Sequence, residues 1–153
     1  MNQNKPKILY IITQGHWGGA QKYVYNLASA LSNSFEVVVA IGEPNNNPDL
    51  QRLLKDKGIE HIQLKHLRRS ISPIADLLAI FELKKLYKKI KPNIIHLNSS
   101  KASILGSLAS YKLQATSYSI LFTAGYLMSQ CQDLKKIYTN HWKNGPQKIN
   151  QKL

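Results

Sequence analysis

Lys7-Ile8-Leu9-Tyr10-Ile11-Ile12-Thr13 runs directly into Gln14-Gly15-His16-Trp17-Gly18-Gly19-Ala20-Gln21. An apolar, β-branched run that stops at a glycine-rich loop reads as a buried strand and its exit turn. Val24, Leu27, Ala28 and Leu31 follow at helical spacing, so a helix is expected over about Gln21–Ser32. Strand, glycine turn and helix in that order open a Rossmann-type unit. Glycines let backbone amides approach a ligand, and a helix N-terminus favours anionic groups such as phosphate. The G-x-G-x-x-G spacing of a dinucleotide site is absent from this loop.

Beyond this unit, Phe35–Ile41 is a second continuous apolar run, the pattern of a parallel strand covered on both faces. Residues 42–48 form a loop by their Gly, Pro and Asn content. Asp49–Lys57 reads as a helix with Leu50, Leu53 and Leu54 on one side, stopped by Gly58. Ile59–Leu64 alternates as a short strand. Ser72-Pro73 opens a long helix to about Ile90, with proline at the favoured first turn, and Lys91-Pro92 ends it. Asn93–Leu97 is a further core strand leading into Asn98-Ser99-Ser100-Lys101 and a helix through Ala109; Ser119–Thr123 is the last convincing strand. Strands separated by helices imply an α/β, Rossmann-like parallel sheet with helices on both faces. Ligands in such sheets sit beyond the carboxyl ends of the strands. The loops after Lys7–Thr13 and Asn93–Leu97 are therefore the expected functional edge.

A chain of 153 residues is one domain on length, and 43% hydrophobic residues suffice for a core. The single cysteine, Cys131, allows no internal disulfide, and no cofactor, metal cluster or nucleophilic Ser/His/Asp or Cys/His set can be assembled from the spacing. No apolar run reaches the ~18 residues of a membrane span, and the N-terminal residues carry no signal-peptide pattern, so a cytoplasmic location is expected. The net charge of +13 is the compositional outlier and points to an anionic partner. Lys84, Lys85, Lys88, Lys89 and Lys91 cluster at the end of the long helix, preceded by Lys65, Arg68 and Arg69. They read either as a solvated face with cations at a helix C-terminus or as a dock for an anionic membrane surface. Nucleic acid is not expected, since no aromatic-basic motif or known module is present.

The pattern Ile-Thr-x-x-x-x-Gly-Gly-Ala-Gln at 12–21, with Tyr23–Ala28 after it, resembles the first loop of family 4 glycosyltransferases of polysaccharide and lipid-glycan synthesis. Residues 92–102 resemble that family's Pro-Asp-Ile-Val-His-x-His-Ser-Ser-Lys-Ala stretch, with Asn98 in place of the second histidine; Gly58-Ile59 and Leu67–Pro73 also fit. The resemblance covers about 7–124. It implies the N-terminal, acceptor-side domain of a GT-B enzyme, in which two Rossmann-like domains face a cleft. It further implies that Gly18 and Gly19 meet the donor phosphates of a nucleotide sugar. His16, His96, Asn98, Ser99, Ser100 and Lys101 would line the side of a glycan or lipid-linked acceptor. Each has a plainer reading: a tight turn for Gly18-Gly19, a solvated loop for His16, a core position for His96, an N-cap for Ser99-Ser100 and a snorkelling cation for Lys101.

The resemblance fails after Ala124. The family's Phe-Thr-Ala-His-Gly-Trp becomes Phe122-Thr123-Ala124-Gly125-Tyr126, without the histidine, and the donor-binding domain is expected to be missing. Permitted codons for residues 125–133, read from the last base of the preceding codon, can encode Trp-Leu-Phe-Asn-Glu-Pro-Met-Ser-Arg, which resembles the family's continuation. Residues 1–124 are thus expected to be the homologous domain and 125–153 an out-of-frame tail without packed structure. Without that tail the chain keeps sixteen basic and seven acidic residues, or +9. The function expected is a truncated glycosyltransferase lobe, inactive by itself. The alternatives are a non-catalytic binding module that pairs with a separately encoded donor domain and an unstable pseudogene product.

Overall fold

The computed structural model of the protein describes residues 5–43 and 49–111, and residues 119–122 as backbone. Its elements run β1 (Lys7–Ile12), α1 (Gly19–Leu31), β2 (Glu36–Ile41), α2 (Asp49–Asp56), β3 (Glu60–Gln63), α3 (Pro73–Ile90), β4 (Ile94–Leu97), α4 (Ser100–Ser110) and β5 (Ser119–Phe122). The five strands form one sheet in the order β3-β2-β1-β4-β5, and every neighbouring pair is parallel. The expected α/β, Rossmann-like arrangement is what forms. The expected tail at 125–153 lies outside the described residues.

Period-two alternation sorts the central strand between two cores. Ile8, Tyr10 and Ile12 point to one face, where they pack with Val24, Leu27, Ala28 and Leu31 of α1 and Leu50 and Leu54 of α2. Leu9 and Ile11 point to the other, with Leu83, Leu86 and Tyr87 of α3 and Ala102, Leu105 and Ala109 of α4. Because both faces are covered, β1 and β2 are buried almost end to end, which explains their unbroken apolar sequences.

The strands are slightly shorter than their apolar runs: Thr13, Phe35, Ile59, Leu64 and Asn93 fall outside the ladders, and Thr123 lies outside the described residues. The first helix differs more, since α1 begins at Gly19 with Gly18 as its extended N-cap residue. The first turn of a helix needs no intrahelical N–H bonds, so a glycine is tolerated there. The glycine loop is consequently part of the helix start rather than a spacer before it. Gly58 takes a left-handed φ of +68° and ends α2 as expected. Lys91, a non-glycine residue at φ 50°, does the same for α3 just before Pro92.

Between β3 and α3 the chain crosses the top of the sheet in a loop held from several sides. Leu64 N–H donates to the Ile41 carbonyl (2.7 Å) and Glu43 N–H to the Leu67 carbonyl (2.7 Å). Lys65 and His66 N–H both donate to the Glu82 carboxylate of α3, at 2.8 and 3.0 Å. Gly42 makes this crossing possible: a Cβ there would lie 2.2 Å from the Leu67 carbonyl oxygen and 2.7 Å from that of Thr13.

Candidate functional site

The carboxyl ends of β1 and β4 are adjacent, because Ile11 pairs with Leu97. The two loops singled out in the sequence therefore meet at one edge. A cavity of about 550 Å³ opens there, lined by Ile12, Thr13, Gln14, Gly18, Gly19, Ala20, Gln21, Arg69, Asn98, Ser99, Ser100 and Lys101.

Two helix N-termini point into this cavity. In α1 the first intrahelical bond runs from Lys22 N–H to the Gly18 carbonyl (2.9 Å). The amides of Gly19, Ala20 and Gln21 precede it and have no intrahelical acceptor. Gly18 supplies no side-chain cap, and the first turn carries no acidic residue. The start of α4 also lacks acidic residues. There Ser99 Oγ accepts the Ala102 N–H (3.2 Å), so Ser99 is both an N-cap and part of the cavity wall. The α1 terminus thus presents uncapped amides and the positive end of a helix dipole, an arrangement that suits an anion. A Cβ on Gly19 would meet nothing within 4 Å, so the space beside it is open. Gln21, which is buried, fixes the loop by donating from Nε2 to the Gln14 carbonyl (2.9 Å).

Asn98 is the buried polar wall of the cavity, at 4% exposure. Its Nδ2 donates to the carbonyls of His96 (3.0 Å) and Ile11 (3.3 Å). Two carbonyl partners fix the orientation of the amide. Its Oδ1 is buried and accepts no hydrogen bond. An acceptor left so at a cavity wall suits a donor brought by a ligand, such as a hydroxyl.

The remaining sequence candidates lie elsewhere or are otherwise engaged. His96 is buried on β4, outside the cavity lining. Its ring lies 5.1 Å from that of Tyr10 and 6.1 Å, edge-on, from that of Tyr23 of α1. Burial pushes its pKa down from 6.5 to about 4, so the imidazole is neutral at pH 7. A mid-strand side chain in a sheet covered on both faces points into a layer, and only residues past the strand end reach the edge. His16 is exposed in the glycine loop and does not line the cavity. Lys101 lines it, but its Nζ pairs with Asp76 Oδ1 of α3 at 2.6 Å and also donates to the Ser70 carbonyl. Arg69 joins the lining from the loop before α3, although the sequence placed it in a basic cluster and in the family-like stretch Leu67–Pro73 without a site role. Among the described residues no group of acidic, His or Cys side chains is arranged to hold a metal ion.

A parallel α/β lobe with a glycine-started helix and a polar cavity at the strand ends is the N-terminal half of a GT-B-type architecture. The chain belongs to the glycosyl transferase 4-like family, whose sequence model matches residues 3–150. Among solved structures it is similar to a glycosyltransferase from Rickettsia africae ESF-5 (TM-score 0.62, 21% identity, 89% of this chain and 34% of that one). It is similar also to Anabaena Alr3699/HepE in complex with UDP and glucose (0.58, 17%, 88% and 35%). A third is a UDP-N-acetylglucosamine 2-epimerase (0.60, 19%, 82% and 35%). The chain spans about a third of the length of these structures. No curated protein sequence matches it.

Proposed function

We propose that this chain is the acceptor-side lobe of a nucleotide-sugar-dependent glycosyltransferase and that its cavity receives the sugar-diphosphate part of the donor. The observation that carries this reading is the uncapped start of α1 beside the buried, unfilled Oδ1 of Asn98. The amides of Gly19 and Ala20 meet the diphosphate. Asn98, with Ser99 and Ser100, offers polar atoms to hydroxyls of the sugar or the acceptor. Transfer to a hydroxyl leaves negative charge on the departing diphosphate, and pre-oriented amides at a helix start stabilise charge at that point. The similarity to a UDP-bound protein is in keeping with this ligand class. The family match favours transfer over the epimerisation named for another neighbour. The base and the bulk of the donor would be held by a second lobe, so transfer needs both halves at once. The lobe is taken as residues 1–124.

A second reading concerns location, and the outward face of α3 favours it. Ile74, Leu77, Leu78 and Phe81 are exposed on one stripe of that helix, and Ile71 just before it is 90% exposed. Lys85, Lys88 and Lys89 continue the exposed stripe toward the C-terminus. The two acids of the helix are turned aside, Asp76 to Lys101 and Glu82 to the loop amides. An apolar band with a cationic extension suits an anionic bilayer, each basic residue adding about 1 kcal/mol near the surface. Among the described residues no helix is long and apolar enough to cross a membrane.

Gly19→Asp tests the first reading. The substitution has room for its side chain and places a carboxylate where the diphosphate should sit. Binding of inorganic pyrophosphate, which does not draw on the second lobe, should be lost in calorimetry while the circular-dichroism spectrum and melting curve stay unchanged. Undiminished binding would refute the site.

A further inference from the structure

We propose that Arg69 supplies the positive charge of the cavity and that Lys101 is its positioning residue, acting through the loop rather than on the ligand. The inference rests on the reading of the cavity as a diphosphate site. Lys101 is the more obvious candidate, since it follows Ser99-Ser100 and lines the same space. Its charge is already matched by the Asp76 carboxylate at 2.6 Å, in a pair only about one-fifth exposed on either side. A compact, neutralised pair adds little field to an anion site. Its second bond, to the Ser70 carbonyl, does something different: it ties the residue next to Arg69 to the first turns of both α3 and α4.

The rest of the loop is held to match. Arg69 N–H donates to Glu43 Oε2 (3.3 Å), and Glu43, at a left-handed φ of 46°, donates its own N–H to the Leu67 carbonyl (2.7 Å). The Glu82 carboxylate holds the amides of Lys65 and His66. A surface loop anchored on β2, α3 and α4 has little backbone freedom left, so the entropy of placing the Arg69 backbone is met on folding and only its exposed side chain is ordered on binding. Among the described residues the guanidinium of Arg69 enters no ion pair, and it borders the same cavity as the Gly19 amide and the unfilled Asn98 Oδ1. A guanidinium can grip a phosphate with two parallel hydrogen bonds, which a paired ammonium cannot.

The test is a double-mutant cycle on the full chain, with inorganic pyrophosphate as the probe and amide chemical shifts as the readout. Arg69→Ala should weaken pyrophosphate binding tenfold or more, and Arg69→Lys should recover part of it. Lys101→Met combined with Asp76→Asn, which removes the pair without leaving a bare carboxylate beside the cavity, should weaken binding too, together with faster amide exchange at 69–71. The same Lys101→Met/Asp76→Asn change in the Arg69→Ala background should cost nothing further, because a positioning residue has nothing left to position. Additive losses would make Lys101 a direct ligand and overturn the proposal, as would full affinity in Arg69→Ala. If the unmutated chain shows no pyrophosphate shifts, the diphosphate reading itself fails and this inference with it.

Discussion

Among the described residues His96 is the one buried imidazole whose protonation the fold opposes, and acid titration reads that directly. Its pKa falls from 6.5 to about 4 through burial alone. The folded state therefore binds its proton about 2.5 pH units later than the unfolded chain, which at about 1.4 kcal/mol per unit corresponds to about 3.5 kcal/mol once both states are fully titrated. The sign follows from proton counting: between pH 6.5 and 4 the unfolded chain holds the extra proton, so stability declines as pH falls through that window. Above 6.5 both states are neutral at this site, and below 4 both are charged, so the contribution levels off at each end. Urea unfolding followed by circular dichroism at half-unit pH steps measures the total, which includes every other titrating group. Subtracting the same series for His96→Gln, which cannot titrate, isolates the imidazole. The difference should shift by about 3 kcal/mol between pH 7 and 4. A flat difference would mean that His96 reaches water, and with it the cavity side expected from the sequence.

Other substitutions test the frame around the site. Gly42→Ala should cost roughly 2 kcal/mol or more, since its methyl would collide with the backbone of Leu67 and Thr13; urea midpoints at pH 7.5 measure it. Lys91→Gly should gain roughly 0.5–1 kcal/mol by relieving a left-handed lysine at the end of α3, read as a higher melting temperature. Co-sedimentation of the chain with phosphatidylglycerol vesicles should fall sharply in Leu77→Ser/Phe81→Ser and, separately, in Lys85→Glu/Lys88→Glu. Binding to neutral vesicles that survives the lysine changes would make the face a purely apolar contact.

Most of the frame was legible in the residues. Ile8–Ile12 and Val37–Ile41 announce parallel strands because nothing polar interrupts them, and Pro73 marks the start of α3 to the residue. The cavity loops were legible by a rule of topology, since only the ends of parallel strands are open. The roles inside the site were less so. Position 96 reads the same whether its side chain enters the core or the site; that it does not line the cavity follows from a position between two covered layers. Lys101 finds Asp76 across 25 residues of sequence, and no spacing signals that pair. Arg69 reads as one more surface cation until Glu43, Glu82 and Lys101 are seen to hold its loop. The helical start at Gly19 was hidden because glycine counts against helix in every window, although at a first turn it costs little.

We propose that an anionic sugar donor meets this lobe at the start of α1, and an amide chemical-shift map of the isotope-labelled chain titrated with UDP-glucose reads that contact residue by residue. The largest shifts should cluster at Gly18, Gly19, Ala20 and Ser100, with the Asn98 side-chain amide moving alongside them. Shifts confined to the outer face of α3, or none at saturating ligand, would contradict it.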